Sequence, residues 1–92
     1  MIESFADEET ENLWKTRRSI EFQRVERVAW RKLQMIDAAS VLSDLKVPWT
    51  NHLEELDNGQ WSIRISRQYR VLFNWDKDLI TASNVKVSKH YA

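Results

Sequence analysis

Hydrophobic and polar residues alternate over two neighbouring stretches in the second half of the chain. Trp61, Ile63 and Ile65 are separated by Ser62 and Arg64, and after Ser66-Arg67-Gln68 the pattern resumes with Tyr69, Val71, Phe73 and Trp75 on one parity. A period of two in β-branched and aromatic residues predicts two strands joined by a short polar turn. The turn holds no Asn-Gly or Asp-Gly pair, so a loop slightly longer than two residues fits equally well. The parity opposite the apolar one carries Arg64 and Arg70.

Elsewhere the spacing is helical. Phe22, Val25, Ala29, Leu33 and Ile36 recur at three and four residues, predicting a helix from about Glu21 to Ala38 with one apolar face. An earlier helix is expected over about Glu8 to Thr16, with Asp7 as its N-cap, acidic side chains near the positive end of its dipole, and Leu13 and Trp14 as core contacts. Ser40 is expected to cap a short third helix, Val41 to Lys46, ended by Pro48. Ile2 to Phe5 reads as an edge strand and Leu53 to Leu56 as a brief strand or extended approach to the hairpin. Asp57-Asn58-Gly59 and Asp76-Lys77-Asp78 read as turns, and Leu79 to Tyr91 as a closing strand with Val85 and Val87 in alternation. Helices followed by strands predict an α+β fold: an N-terminal strand and two to three helices on one face of a mainly antiparallel, twisted sheet of four to five strands.

Composition narrows the class. The 92 residues fit one domain, 1–92, and a single Gly and a single Pro exclude linker-rich or low-complexity organisation. With no Cys there is no disulfide framework, thiolate zinc site or thiol nucleophile. The acidic start lacks the basic and apolar regions of a secretory signal, and no apolar run approaches the roughly twenty residues that span a bilayer, so a cytoplasmic protein without membrane contact is expected.

A formal net charge of zero conceals segregation. Five acids and no base lie in residues 1–11, whereas residues 15–32 carry seven bases against Glu21 and Glu26. Arg24, Arg27 and Arg31 recur at i, i+3 and i+7 and form a basic rail beside the apolar stripe of the second helix. The rail is either a solvated face paired through Glu21 with Arg24 and Glu26 with Arg27 or a contact for a polyanion such as RNA. Trp30 flanks it and suits a partner contact. Arg64 and Arg70, on adjacent strands, are either solvated residues or a fixed, always-charged pair suited to phosphate. His52 and His90 lack ligand spacing and no zincin helix motif exists, so no metal is expected; there is also no phosphate loop and no Gly-x-Ser-x-Gly elbow.

Gln60-Trp61-Ser62-Ile63-Arg64-Ile65 and Gln68-Tyr69-Arg70-Val71-Leu72-Phe73-Asn74-Trp75 resemble the hairpin of HigB-type toxins of the RelE superfamily. The stretches 32–39 and 45–56, the Met-Ile-x-Ser-Phe opening and a C-terminal His/Tyr pair resemble it too. The resemblance covers nearly the whole chain. It implies a RelE-like fold and a ribosome-dependent endoribonuclease that cuts messenger RNA in the ribosomal A site by metal-free, cofactor-free attack of a 2′-hydroxyl. It also implies a HigA-like helix-turn-helix antitoxin partner, and operator DNA contact only through that antitoxin. By this resemblance Arg70 contacts the scissile phosphate, and His90 and Tyr91 fall at the family's C-terminal catalytic pair, here in the order His-Tyr, where strand alternation points the two to opposite faces; Lys89 beside them is a further catalytic candidate. Arg24, Arg27, Arg31, Arg64, Arg67 and Lys86 become the expected RNA and ribosome contacts. One departure is plain: where the family carries a catalytic loop lysine, this chain has the shorter Leu53-Glu54-Glu55-Leu56-Asp57-Asn58-Gly59, with an acid in its place. Lys89, Lys86, His52 and His90 are candidates to replace it. Without a replacement, the fold would serve as a weakened or inactive binding module that titrates antitoxin or acts in autorepression.

Overall fold

A computed structural model describes residues 1–89. Helix α1 (Glu8–Thr16) and helix α2 (Glu26–Ala38) precede strands β1 (Glu54–Glu55), β2 (Trp61–Arg64), β3 (Tyr69–Asp76) and β4 (Thr81–Lys89), with two 3₁₀ turns, Leu42–Lys46 and Trp49–Asn51, between helices and sheet. The strands form one antiparallel sheet in the order β1-β2-β3-β4. Both helices pack on β4, and α2 also reaches β3. Helices and sheet enclose Leu13, Leu33, Ile36, Ile63, Val71, Phe73, Val85 and Val87 between them. The expected α+β layering is therefore present. Among the described residues no helix is long and apolar enough to cross a membrane.

Helix α1 starts where its cap chemistry dictates: the Asp7 carboxylate accepts the amide of Thr10 at 2.8 Å. The fully buried Thr10 hydroxyl accepts the backbone N–H of Val87 at 3.0 Å. A side chain of α1 thereby satisfies a strand donor that a buried edge would otherwise leave unpaired.

Four expected boundaries shift. Helix α2 begins at Glu26 rather than Glu21, because Ser19 organises the preceding turns: its hydroxyl accepts Phe22 N–H at 3.0 Å and its own N–H donates to the Glu26 carboxylate at 3.0 Å. Phe22 then turns into the core, edge-on to Tyr69. The third helix is a 3₁₀ turn, and Asp44 rather than Ser40 closes its start by accepting Ser40 N–H at 2.9 Å. Ile2 to Phe5 makes two isolated parallel bridges to Ala82 and Val85, not a continuous strand. The closing strand starts at Thr81, since Leu79 and Ile80 lie exposed in the turn before it.

The hairpin keeps its expected parity. Trp61 pairs with Phe73, Ile63 with Val71 and Arg64 with Arg70. Between Leu72 and Asn74 the β3–β4 register shifts, and Asn84, opposite the shift, has φ 51°. An Asn tolerates that left-handed conformation better than a β-branched residue. The bulge lets Ala82 and Val85, three residues apart, both face the core.

Candidate functional site

The outward face of the sheet assembles its charges by register. Arg64 stands directly opposite Arg70, which in turn stands opposite Ser88; Glu54, Ser62, Leu72 and Lys86 form the adjoining row across four strands. Like charges directly opposite one another disfavour an antiparallel pair, and the structure offsets this at Arg70. One terminal nitrogen, Nη1, donates to the Glu54 carboxylate at 3.2 Å and to the Ser62 hydroxyl at 3.3 Å. Arg64 turns the other way, its Nε donating to the Ser66 carbonyl at 3.2 Å.

Ser62 is wholly buried, while the Glu54 side chain is 58% exposed and that of Arg70 23%. An ion pair this solvated adds no more than about 1 kcal/mol. Its consequence is orientation, because Arg70 is fixed from two sides at the wall of an open cleft of roughly 280 Å³. Glu54, Leu56, Leu72, Ser88 and Lys89 line the rest of the cleft.

Of the residues singled out from sequence, Arg70 and Lys89 both line this cleft, although Lys89 pairs with Tyr69 and so lies on the parity opposite to that of Arg70 and Ser88. Arg64 and Lys86 flank it on the same sheet face, and Arg67 is exposed in the hairpin turn. His52, in a left-handed conformation after the second 3₁₀ turn, lies edge-on to Trp49 and does not line the cleft. His90 and Tyr91 lie outside the described residues. Glu54, Ser62 and Ser88 were not singled out. Ser62 shares the parity of Arg64 and was findable on that ground; Glu54 was not, since only the β1–β2 pairing places it there. Among the described residues no group of three or more His, Cys, Asp or Glu gathers to hold a metal ion.

The basic rail occupies the other side of the molecule. Helix α2 turns Ala29, Lys32, Leu33 and Ile36 inward, which leaves Arg27 and Arg31 on its outward side, away from the sheet and from Arg70. Arg24 lies in the turn before the helix. The Glu21–Arg24 and Glu26–Arg27 pairs expected from sequence do not form; Glu26 instead meets Arg18 at 3.7 Å. The Arg17 guanidinium sits 3.9 Å from the centre of the Trp30 ring, which also stacks on Trp14 at 5.8 Å. The Trp30 indole N–H donates to the Trp14 carbonyl at 3.2 Å. Arg17, Arg18, Glu26, Arg27, Trp30 and Arg31 line a shallow cleft of roughly 410 Å³.

The inward cation of the same helix is Lys32. Its ammonium donates to the buried Asn51 side-chain oxygen at 2.6 Å, and Asn51 in turn donates to the Leu45 carbonyl at 3.1 Å. Burial, aided by the neighbouring Arg31 charge, lowers the Lys32 pKa from its ordinary value. This network ties α2 to both 3₁₀ turns, and neither Lys32 nor Asn51 lines either cleft.

Comparison with known proteins matches residues 3–90 to the family described as the RelE-like toxin of the type II toxin–antitoxin system HigB. Over 54 residues the chain is 43% identical to "Toxin HigB-1" of Vibrio cholerae serotype O1, covering 55% of this chain and 57% of that protein. Over 67 residues it is 36% identical to an uncharacterized protein of Haemophilus influenzae, covering 70% of this chain and 64% of that protein. The match thus spans less than two thirds of the length of either relative.

Proposed function

The chain belongs to the family of RelE-like HigB toxins of type II toxin–antitoxin systems, and on that premise we propose that it is an endoribonuclease that cuts messenger RNA in the ribosomal A site. Family membership implies an antitoxin partner. The observation that carries the enzymatic reading is Arg70, braced by Glu54 and Ser62 on the wall of an open cleft. Bracing at Nη1 leaves the remaining guanidinium donors to receive a phosphate.

In the proposed reaction a ribose 2′-hydroxyl loses its proton and attacks the adjacent phosphorus; the O2′–P bond forms and the P–O5′ bond breaks. Negative charge grows on the phosphoryl oxygens, and a guanidinium held in place before the reaction stabilises it without reorganising. Lys89, at the same cleft, adds positive charge, and Arg64 and Lys86 engage flanking phosphates. His90 and Tyr91 are the proposed proton carriers, His90 because a neutral-range imidazole both takes and gives a proton.

A second reading draws on one observation. Residues 53–59 hold no lysine, and the carboxylate of Glu54 contacts Arg70, an arrangement that suits an inactive module retaining only antitoxin binding. Expression without antitoxin, with messenger RNA 5′ ends mapped in the chain and in Arg70→Ala, decides between them. New ends inside translated frames that vanish in the variant support cleavage; growth without new ends, from soluble folded protein, supports the binding module.

A further inference from the structure

Past the cleft, the outward sheet face carries a row of amides that the cleavage chemistry does not use. Beyond Leu56 and Leu72, which line the cleft, Asn74 follows Leu72 on the same face of β3. Its side-chain oxygen is held from both sides: the Gln60 amide donates to Oδ1 at 3.2 Å and the Asn84 amide at 3.4 Å. Asn58 donates in turn to the Gln60 side-chain oxygen at 3.1 Å. With Oδ1 occupied, the Nδ2 of Asn74 has no acceptor among the described residues, and the Oδ1 of Asn84 has no donor.

Local structure does not account for this row. Asn is disfavoured inside a strand, yet Asn74 lies within β3, and bonds between solvent-facing amides add little to stability because water replaces them. The arrangement repeats that of Arg70. Arg70 is braced at one nitrogen and offers its other donors, and Asn74 is braced at its oxygen and offers its NH₂. The two lie on one strand, about 13 Å apart, and Lys86, opposite Leu72, puts a positive charge between them. Single-stranded RNA is read through hydrogen bonds to exposed base edges, and amide side chains suit those edges. We infer that Asn74, set by Gln60 and Asn84, reads one base flanking the cut while Arg70 holds the scissile phosphate and Lys86 the next. The amide row then sets which messages are cleaved.

The inference rests on the RNA-cleavage reading, and its test separates the two. A reconstituted translation reaction is programmed with messages that differ only in the bases flanking one cut site, and cuts are mapped by primer extension for wild type, Asn74→Ala, Asn84→Gly and Arg70→Ala. Thermal melts confirm the fold, and glycine suits the positive φ at position 84. Wild type favours one base at a fixed position beside the cut by about fivefold, the worth of one neutral hydrogen bond. Both asparagine variants lose that preference by cutting the favoured messages less, whereas Arg70→Ala lowers all messages alike. Cleavage by wild type without base preference overturns the inference. So does a preference unchanged in Asn74→Ala, or a loss in that variant equal across all messages; each leaves the cleavage reading standing. No cleavage by wild type overturns that reading and this inference with it.

Discussion

The sheet face and the helix face both present arginines to solvent, yet they treat them differently. On the sheet, Arg70 is held by two acceptors, one buried and one ionised, and lies at a cleft wall with Lys89. On the helix, Arg27 and Arg31 have no ion-pair partner among the described residues, and Arg17 rests on an indole. A guanidinium fixed from behind offers a defined set of donors to a small reacting group, whereas exposed guanidinium groups without such a brace are not held in one geometry. The same residue type is therefore held in two different ways by its surroundings.

The largest expected effect is on the sheet. Arg70→Ala loses RNA cleavage on the order of a hundredfold or more, the cost of removing a preorganised charge from a transition state, while its melting temperature stays within about 5 °C because the residue lies outside the core. Primer extension on a translated message and a thermal melt measure the two. Equal cleavage would erase the distinction between the faces.

Ser62→Ala leaves the arginine in place and removes the buried acceptor. The expected outcome is about a tenfold fall in kcat with KM little changed, the worth of one hydrogen bond to a charged group. An equal loss through KM would show Ser62 serving substrate binding instead. Glu54→Gln keeps an oxygen for Nη1 and discards the charge, so activity within about threefold of wild type is expected. Collapse of activity in Glu54→Gln would identify Glu54 as a proton acceptor and not a brace.

The smallest effect concerns Lys32, the cation that α2 turns inward. Its folded pKa is lowered by burial, so between that value and the unfolded value of about 10.4 the unfolded chain binds more protons. Stability relative to Lys32→Met therefore rises with pH across that window, and below it the full cost of burying the ammonium remains. Denaturant titrations at neutral and alkaline pH measure the difference between the two chains; no pH dependence in that difference would refute the assignment.

Local chemistry made several elements legible. The Asp7 cap placed α1, the period of two placed both hairpin strands with their correct faces, and Asp57-Asn58-Gly59 marked a turn in which Gly59 takes φ 85°. Arg27 and Arg31 were legible as a stripe outside the apolar face of the helix, whereas Arg24, expected on the same stripe, falls in the turn before α2. The start of α2 was misplaced because Ser19 and Glu26, seven residues apart, bond each other, a preference no periodicity records.

By itself the sequence determined the elements, their apolar faces and the family, since periodicity, capping and turn chemistry act among residues a few positions apart. Only the tertiary structure decided which charges meet. Glu54 reaches Arg70 across sixteen positions and two strand pairings, and the helix rail lands on the far side of the sheet from it. Both outcomes depend on strand register and on which way a helix turns its apolar stripe, and burial of the whole core sets these together.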